Sequence, residues 1–566
     1  MKVWLLLILA VTVRLPAFAP SLSEGASAWP GRSAQREGRK ADTTYSQAHT
    51  HPEPPSPSVL EIAKRPVPLR TGIGVAHDQV ATGSRQAQAF YDQGLAYLHS
   101  YWWLEAARSF NHALALDTNL AMAHAGLSIA YAELNATADA KAALARAQAL
   151  MAGTPSIPAH DRRHIELRAL QMAAEPGGVW PPPAQAEFRV RVDRALEEFP
   201  ADEELWLLRG FAESPDAAER GQGSVAASIR FYEKARTLAP DHFAPHHYLT
   251  HAYENTGRID EALAEGATYA KMAPDVPHAR HMHAHDLRRA GRLDDAIAEF
   301  LAADALATEY FRSERVPAEY DWHYQHNVDL LATSYQYVGR MAKAEALLKT
   351  SFAMSSPLVQ QEVNKREWPV FLLARGRAAD ALDAATAMAA HRSPIVSAAG
   401  HVMIGEARLA LGDPKAAADE ANAALRLMRG AMGAGIVAHA LKQLQGEFLL
   451  RTGQGARART MLQEVVRDLR SAPGPDAWSQ ALFALESIGR AARESGEWQL
   501  ASWIASQMLE HDPNYAGSHY ASALVADHDG DRARARAEFA LAKKYWRNAD
   551  PGLDELKAIE RYLQGR

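Results

Sequence analysis

The chain has 566 residues, of which 48% are hydrophobic and none is cysteine, and its formal net charge is −6 at pH 7. Without cysteine the chain forms no disulfide, no cysteine-ligated zinc site and no thiol nucleophile, so a bound metal needs histidine or carboxylate ligands. A net negative charge without a dense basic face also argues against nucleic-acid binding.

An export signal is predicted in residues 1–28. Lys2 precedes the apolar run VWLLLILAVTV, and the small-residue motifs AFA and ASA supply cleavage sites. The run is too short to span a bilayer comfortably. We therefore expect an exported protein, periplasmic or secreted, with no membrane-spanning segment after the signal. An N-terminal anchor that is not cleaved is the alternative for this segment.

A disordered tether is predicted over residues 29–84. This stretch is rich in proline, serine, glycine and charge, and its motif HPEPPSPS at 51–58 favours an extended, polyproline-like spacer.

From residue 85 onward apolar residues recur at helical spacing, and a second pattern repeats along the chain. A glycine is followed five residues later by an alanine in each of these pairs: Gly257 and Ala262, Gly291 and Ala296, Gly339 and Ala344, Gly376 and Ala381, Gly412 and Ala417, Gly453 and Ala458, Gly496 and Ala501, and Gly530 and Ala535. A glycine with positive φ ends one helix, and a small alanine lets the next helix pack closely. The pattern predicts a series of helix pairs.

The first unit carries residues at the spacing of one known repeat, namely Phe90, Gly94, Tyr97, Ala106 and Phe110. The pattern resembles the tetratricopeptide repeat, TPR. The resemblance covers roughly residues 85–546 and implies an all-α superhelical solenoid of antiparallel helix pairs, with about 10–11 repeats. A helical insertion is expected near 155–200, and residues 547–566 are expected to form a capping helix.

Histidines concentrate in two neighbouring repeats. The cluster comprises His246, His247, His251, His278, His281, His283 and His285. If the glycine before the second helix is repeat position 15, one pair of these histidines occupies positions 5 and 9 of one unit, and a second pair occupies the same positions of the next unit. The two pairs are His247 with His251 and His281 with His285. Residues four apart share one helix face, so we expect these four imidazoles to face one another.

The resemblance implies that these positions line a concave groove where ligands sit. It places His278, Glu254 and Asp329 on the same surface, and it brings His326 to the start of the following unit. The motifs H-Y-x-x-H, H-M-x-x-H and Y-x-H-N resemble a histidine-rich group of exported bacterial TPR proteins that has no established activity. In that group proline and serine are expected where this chain has His283 and Ala284.

The clustered histidines predict a metal site. Its expected ligands are His247, His251, His281, His285 and His326. Because imidazole nitrogens outnumber oxygens there, a divalent transition metal such as Zn or Cu is favoured over Mg or Ca. The alternative is that the histidines replace consensus residues and bond to tyrosines or to backbone.

The expected function is an exported scaffold that binds a peptide or protein segment in its concave groove. The motifs of serine hydrolases, P-loop proteins and zincin proteases do not occur in the sequence. The alternative function is a metal-dependent, hydrolase-like enzyme, in which His247, His251, His281 and His285 hold one or two ions and Glu254 or Asp329 activates a water molecule.

Overall fold

The structure is a computed structural model that describes residues 58–174, 182–213, 226–356, 358–429, 434–472 and 475–565. The predicted signal, residues 1–28, and the predicted tether up to residue 57 lie outside the described residues. Among the described helices, none combines the length and hydropathy needed to cross a bilayer.

All regular structure in the described ranges is helical. The first half of the chain holds α1 (Val59–Ala63), α2 (Arg85–His99), α3 (Trp103–Leu116), α4 (Ala121–Glu133), α5 (Thr137–Gly153), α6 (Ala159–Ala174), α7 (Pro182–Glu198), α8 (Glu203–Phe211), α9 (Ala226–Leu238), α10 (Ala244–Asn255), α11 (Ile259–Met272), α12 (Pro277–Arg289), α13 (Leu293–Glu314) and a 3-10 turn (Ala318–Tyr320). The second half holds α14 (Trp322–Tyr337), α15 (Met341–Ala353), α16 (Val359–Asn364), α17 (Glu367–Ala374), α18 (Ala378–Ala389), α19 (Pro394–Ala410), α20 (Pro414–Met428), α21 (Ala434–Arg451), α22 (Gly455–Ser471), α23 (Pro475–Glu494), α24 (Trp498–His511), α25 (Ala516–His528), α26 (Arg532–Tyr545) and α27 (Asp554–Leu563).

Short glycine turns join the helices into packed pairs, such as α10 with α11, α12 with α13 and α25 with α26. Every glycine of the predicted glycine–alanine pairs has positive φ, for example 77° at Gly257 and 75° at Gly291. Glycine adopts this conformation without a steric penalty, so the chain reverses within a few residues and the paired helices run antiparallel. The predicted all-α TPR-type solenoid is confirmed.

The predicted insertion region, 155–200, contains α6 and α7. After this region the chain returns to the first helix pair. His99 at the end of α2 lies 2.7 Å through its Nδ1 from the Tyr248 hydroxyl of α10, and the Tyr269 hydroxyl of α11 donates to Ser100 Oγ over 3.1 Å. The turn between α2 and α3 therefore lies against α10 and α11.

Residues 58–84 differ from the predicted disordered tether. They contain α1, and the side chains of Ile62, Val67 and Val80 are buried among those of the first repeats. The backbone of Asp275 also donates to Gly72 O over 2.9 Å. The prediction fails for this part because its apolar residues, spaced between the prolines, find a hydrophobic surface on the solenoid.

The C-terminal helices contact α14. The Tyr337 hydroxyl donates to Asp512 over 2.7 Å, and Trp546 Nε1 donates to Tyr337 O over 3.3 Å. The predicted capping segment contains α27, in which Ile559 is buried against α26 and its neighbours. Since α10 meets the first pair and α14 meets the last pairs, the histidine-bearing helices occupy the middle of the solenoid.

Candidate metal centre

The structure divides the predicted metal ligands into two groups of three histidines. Set A consists of His247 and His251 from α10 with His278 from α12. Set B consists of His281 and His285 from α12 with His326 from α14. In each set, one ring nitrogen per histidine lies within 4.8 Å of the other two. Each set thus combines an i, i+4 pair from one first helix with a single ring from the first helix of the next unit.

In set A the nitrogens converge around His247. Its Nε2 lies 3.1 Å from His251 Nε2 and 2.9 Å from His278 Nε2. Its Nδ1 lies 2.6 Å from the backbone oxygen of His99, which only accepts, so the ring proton is on Nδ1 and Nε2 carries a lone pair. One lone pair cannot accept a hydrogen bond from both neighbours, whereas a cation can be shared by all three nitrogens.

In set B the rings are oriented by polar neighbours. His285 Nε2 lies 2.9 Å from His281 Nε2, and His281 Nδ1 lies 2.9 Å from Asn327 Oδ1. The amide nitrogen of Asn327 donates to Phe300 O over 3.0 Å, which leaves its oxygen to accept from His281 Nδ1–H. The lone pair of His281 Nε2 therefore faces into the set. Glu254 Oε2 lies 3.5 Å from His285 Nδ1, and neither atom has a hydrogen-bond partner among the described residues.

Burial keeps these imidazoles neutral. None of the six rings is more than 8% exposed. Burial lowers the pKa of His247 to about 3 and that of His326 to about 4, against an ordinary value of 6.5. Burial, followed by the charges of neighbouring rings, also holds the pKa of His251, His278 and His285 well below 6.5. Neutral imidazole is the form that ligates metals, so these five rings are in the metal-binding form at neutral pH.

Tyr101 covers set A from the turn between α2 and α3. Its ring centroid lies 4.7 Å from that of His247 and 5.3 Å from that of His278. Its φ is 56°, in the left-handed region that glycine occupies in later units. This conformation costs a non-glycine residue about 1–2 kcal/mol, and such strain concentrates at functional sites. Sequence analysis missed Tyr101, although it stands five residues before Ala106, where later units have glycine.

The predicted groove surface is corrected by the structure. His278 belongs to set A, while Glu254 and Asp329 are only 1% and 5% exposed. These three side chains lie in the interior, because the first helix pair and the C-terminal helices cover the middle of the solenoid. The predicted ligands His247, His251, His281, His285 and His326 are divided between the two sets.

Two of the clustered histidines lie outside both sets. His246 Nδ1 lies 2.5 Å from Glu265, and His283 Nδ1 lies 3.8 Å from Glu299. His323, by contrast, adjoins set A, with its ring centroid 4.3 Å from that of His278, and its Nε2 has no hydrogen-bond partner among the described residues.

No protein-family model matches the chain, and no curated protein matches it significantly. Similar solved structures include a tetratricopeptide repeat protein from Parabacteroides merdae, which is 13% identical with a TM-score of 0.34 and covers 50% of this chain and 98% of its own. The human IFIT1 dimer with m7Gppp-AAAA is 12% identical with a TM-score of 0.34 over 83% of this chain and 92% of its own. The APC/C hetero-tetramer Cut9-Hcn1 is 13% identical with a TM-score of 0.30 over 85% and 97%. The fold assignment rests on the helix pairs and their glycine turns.

Proposed function

We propose that the protein is an exported helical-repeat scaffold that holds divalent transition metal ions in sets A and B and binds a protein or peptide partner. The observation that carries the metal assignment is the convergence on His247 Nε2 of two further imidazole nitrogens at 2.9 and 3.1 Å. Since His247 Nε2 has one lone pair, at most one of the two neighbours can donate to it, whereas a cation can bind all three nitrogens.

The donor set favours Zn or Cu. Two imidazole nitrogens bound to one tetrahedral zinc at about 2.05 Å lie about 3.3 Å apart, close to the spacing in set A. Imidazole ligands suit Zn and Cu, whereas Mg and Ca prefer oxygen. Three protein ligands in each set leave a fourth coordination position.

Element analysis of the purified chain, without an affinity tag made of histidines, tests the assignment. We expect sets A and B to contribute up to two equivalents of Zn or Cu per chain. His247→Ala and His285→Ala should each remove about one equivalent, because the two residues belong to different sets. His283→Ala is the matched control, since its ring lies outside both sets and is partly exposed. Wild-type metal content in both set variants would overturn the proposal.

The scaffold part of the proposal rests on architecture. Stacked helical repeats present long surfaces on which binding partners dock. Because His278, Glu254 and Asp329 are buried, we expect the partner to contact other parts of the surface. A pull-down from cell-envelope extract should recover a specific protein, and proteolytic protection should map its contacts to exposed helices. If no protein is retained above a tag-only control, the proposal that the chain is a binding scaffold is wrong.

The alternative of a metal-dependent hydrolase has less support. The fourth coordination position of each set is the feature in its favour. However, both sets lie in the interior, and Glu254, a candidate base of this alternative, is only 1% exposed. A screen of phosphoester, ester and peptide substrates with Zn or Cu should give no turnover that depends on Glu254.

A further inference from the structure

A second group of metal-ligating side chains lies at a pocket of about 520 Å³, away from sets A and B. The insertion helix α6, the start of α8 and the segment before α2 border it. The polar residues that line it are His77, Asp78, Gln79, His160, Glu198, Asp202, Glu203 and Glu204. Among the described residues of this lining, none is lysine or arginine, so the pocket has an excess of carboxylates.

Four side chains converge at this pocket. His160 and His164 are one turn apart on α6. His160 Nε2 lies 3.3 Å from Asp78 Oδ1 and 3.2 Å from Asp202 Oδ2. His164 Nε2 lies 2.8 Å from the same Asp202 oxygen. Asp78, His160 and His164 offer ligand atoms within 4.8 Å of one another, and the Asp202 carboxylate, from a third segment, contacts both histidines.

Surrounding hydrogen bonds orient the two carboxylates of this group. The second oxygen of Asp78 accepts from the Tyr91 hydroxyl over 3.2 Å. Asp202 caps α8, where its Oδ1 accepts from the backbone N–H of Leu205 over 3.0 Å. Each carboxylate thus uses one oxygen to fix its own position and presents the other to the histidines.

A third carboxylate orients His160 from behind. Asp161 Oδ1 lies 3.1 Å from His160 Nδ1, and its other oxygen accepts from the backbone N–H of Ala81 over 3.1 Å. Asp161 is only 1% exposed. A buried carboxylate on the far nitrogen is how proteins hold metal-binding histidines, because it fixes the ring and raises its basicity.

We propose that this pocket binds a divalent metal ion through His160, His164, Asp78 and Asp202. We call these four residues the pocket site. The mixed nitrogen and oxygen donors suit Zn²⁺, Co²⁺ or Mn²⁺. One side of the ion faces the pocket, so water or an anionic ligand can complete its coordination. The pocket site shares no residue with set A or set B and does not depend on the function proposed for them.

Protons compete with the metal at the pocket site. Without an ion, hydrogen bonds to Asp161 and Asp202 raise the pKa of His160 to about 10. The alternative to a metal site is therefore a network of protonated imidazoles and carboxylates. The two differ in whether a metal ion displaces the proton with measurable affinity.

Titration of the metal-free full-length chain with Co²⁺ distinguishes a metal site from a network of protonated side chains. Ligand-field bands in the visible spectrum report Co²⁺ bound by nitrogen and oxygen donors. In a His247→Ala/His285→Ala background, which disables both buried sets, we expect one equivalent to bind with a Kd below ~100 μM. Adding His164→Gln or Asp202→Asn should weaken this binding at least tenfold. The asparagine keeps an oxygen to cap α8, so that variant tests the charge without removing the cap.

His77→Gln is the matched control. His77 lines the same pocket but pairs with Asp92 at 2.7 Å, outside the converging group. We expect it to bind Co²⁺ as the parent does. Folding of each variant is checked by its thermal unfolding curve. Binding weaker than ~1 mM in the folded parent, or equal binding by the parent and the folded Asp202→Asn variant, overturns the pocket site. Neither outcome affects the metal content assigned to sets A and B.

Discussion

Individual buried histidines make the stability of the metal-free protein depend on pH. The pKa values of His247 and His326 are lowered to about 3 and about 4 in the fold, whereas an unfolded histidine titrates near 6.5. As the pH falls below 6.5, the unfolded chain takes up protons that the folded chain does not. Each such ring therefore lowers the free energy of unfolding by about 1.4 kcal/mol per pH unit until its folded pKa is reached.

We expect urea unfolding of the metal-free protein to show a steep loss of stability from pH 7 to pH 5. His251→Gln should make the loss shallower, because it removes one of the rings with a lowered pKa. His439→Gln is the control, since that side chain is 44% exposed and lies outside both sets. A stability that stays constant between pH 7 and 5 would contradict the burial of neutral rings.

The same lowered pKa values change the expected pH range of metal binding. An ordinary histidine site loses metal as the pH falls through about 6.5. Rings that stay neutral below that value keep their lone pairs, so sets A and B should retain metal at pH 5.5. Equilibrium dialysis between pH 7.5 and 4 measures this directly. Half-release near pH 6.5 would show that the rings titrate as exposed histidines do.

At Tyr101, backbone strain and side-chain packing have opposite effects on the free energy of unfolding. Tyr101→Gly relieves a left-handed backbone worth about 1–2 kcal/mol but removes a large buried side chain, a loss of about 3–5 kcal/mol. The balance predicts a variant less stable by about 1–4 kcal/mol, measured by urea unfolding of the metal-free form. Tyr101→Phe keeps the ring and should retain most of the stability. A glycine variant more stable than the wild type would show that packing of the Tyr101 ring on set A does not stabilise the fold.

At the scale of helices and turns, the sequence was sufficient for most of the architecture. The glycine–alanine spacing predicted the turn inside each of the later helix pairs, because glycine is the residue that adopts positive φ without a steric penalty. The structure adds a close approach between two consensus positions of the first unit, Gly94 and Phe110. A Cβ atom at Gly94 would lie 2.6 Å from the Phe110 ring. Gly94→Ala should therefore cost about 1–3 kcal/mol in thermal or urea unfolding, whereas Gly153→Ala, with open space around it, should cost nothing.

The parts that the sequence could not supply depend on packing between distant elements. The i, i+4 pairs of sets A and B follow from helical spacing, but the third ring of each set depends on how consecutive repeats are rotated. For that reason His278 was assigned to the groove. At the pocket site, the spacing of His160 and His164 was the only local signal, since Asp78 and Asp202 come from segments far along the chain. The burial of residues 58–84 could not be predicted either, because it depends on the solenoid surface against which they pack.

At the scale of the whole molecule, the three proposed metal sites differ in their access to solvent. Set A lies beneath Tyr101 and the first helix pair. Set B includes a histidine of α14, and the C-terminal end of that helix contacts the C-terminal helices through Tyr337. The pocket site instead faces a pocket of about 520 Å³. An ion in either buried set can leave only when packed helices open, which is slow compared with exchange from a pocket.

We therefore expect two kinetic phases when the fully loaded Co²⁺ protein is mixed with excess chelator and its visible absorbance is followed. The fast phase should be absent from His164→Gln, and part of the slow phase should be absent from His247→Ala. Low concentrations of urea should accelerate only the slow phase, because they favour the local opening that releases a buried ion. A single fast phase that accounts for every bound ion would mean that sets A and B are open to solvent in the folded solenoid.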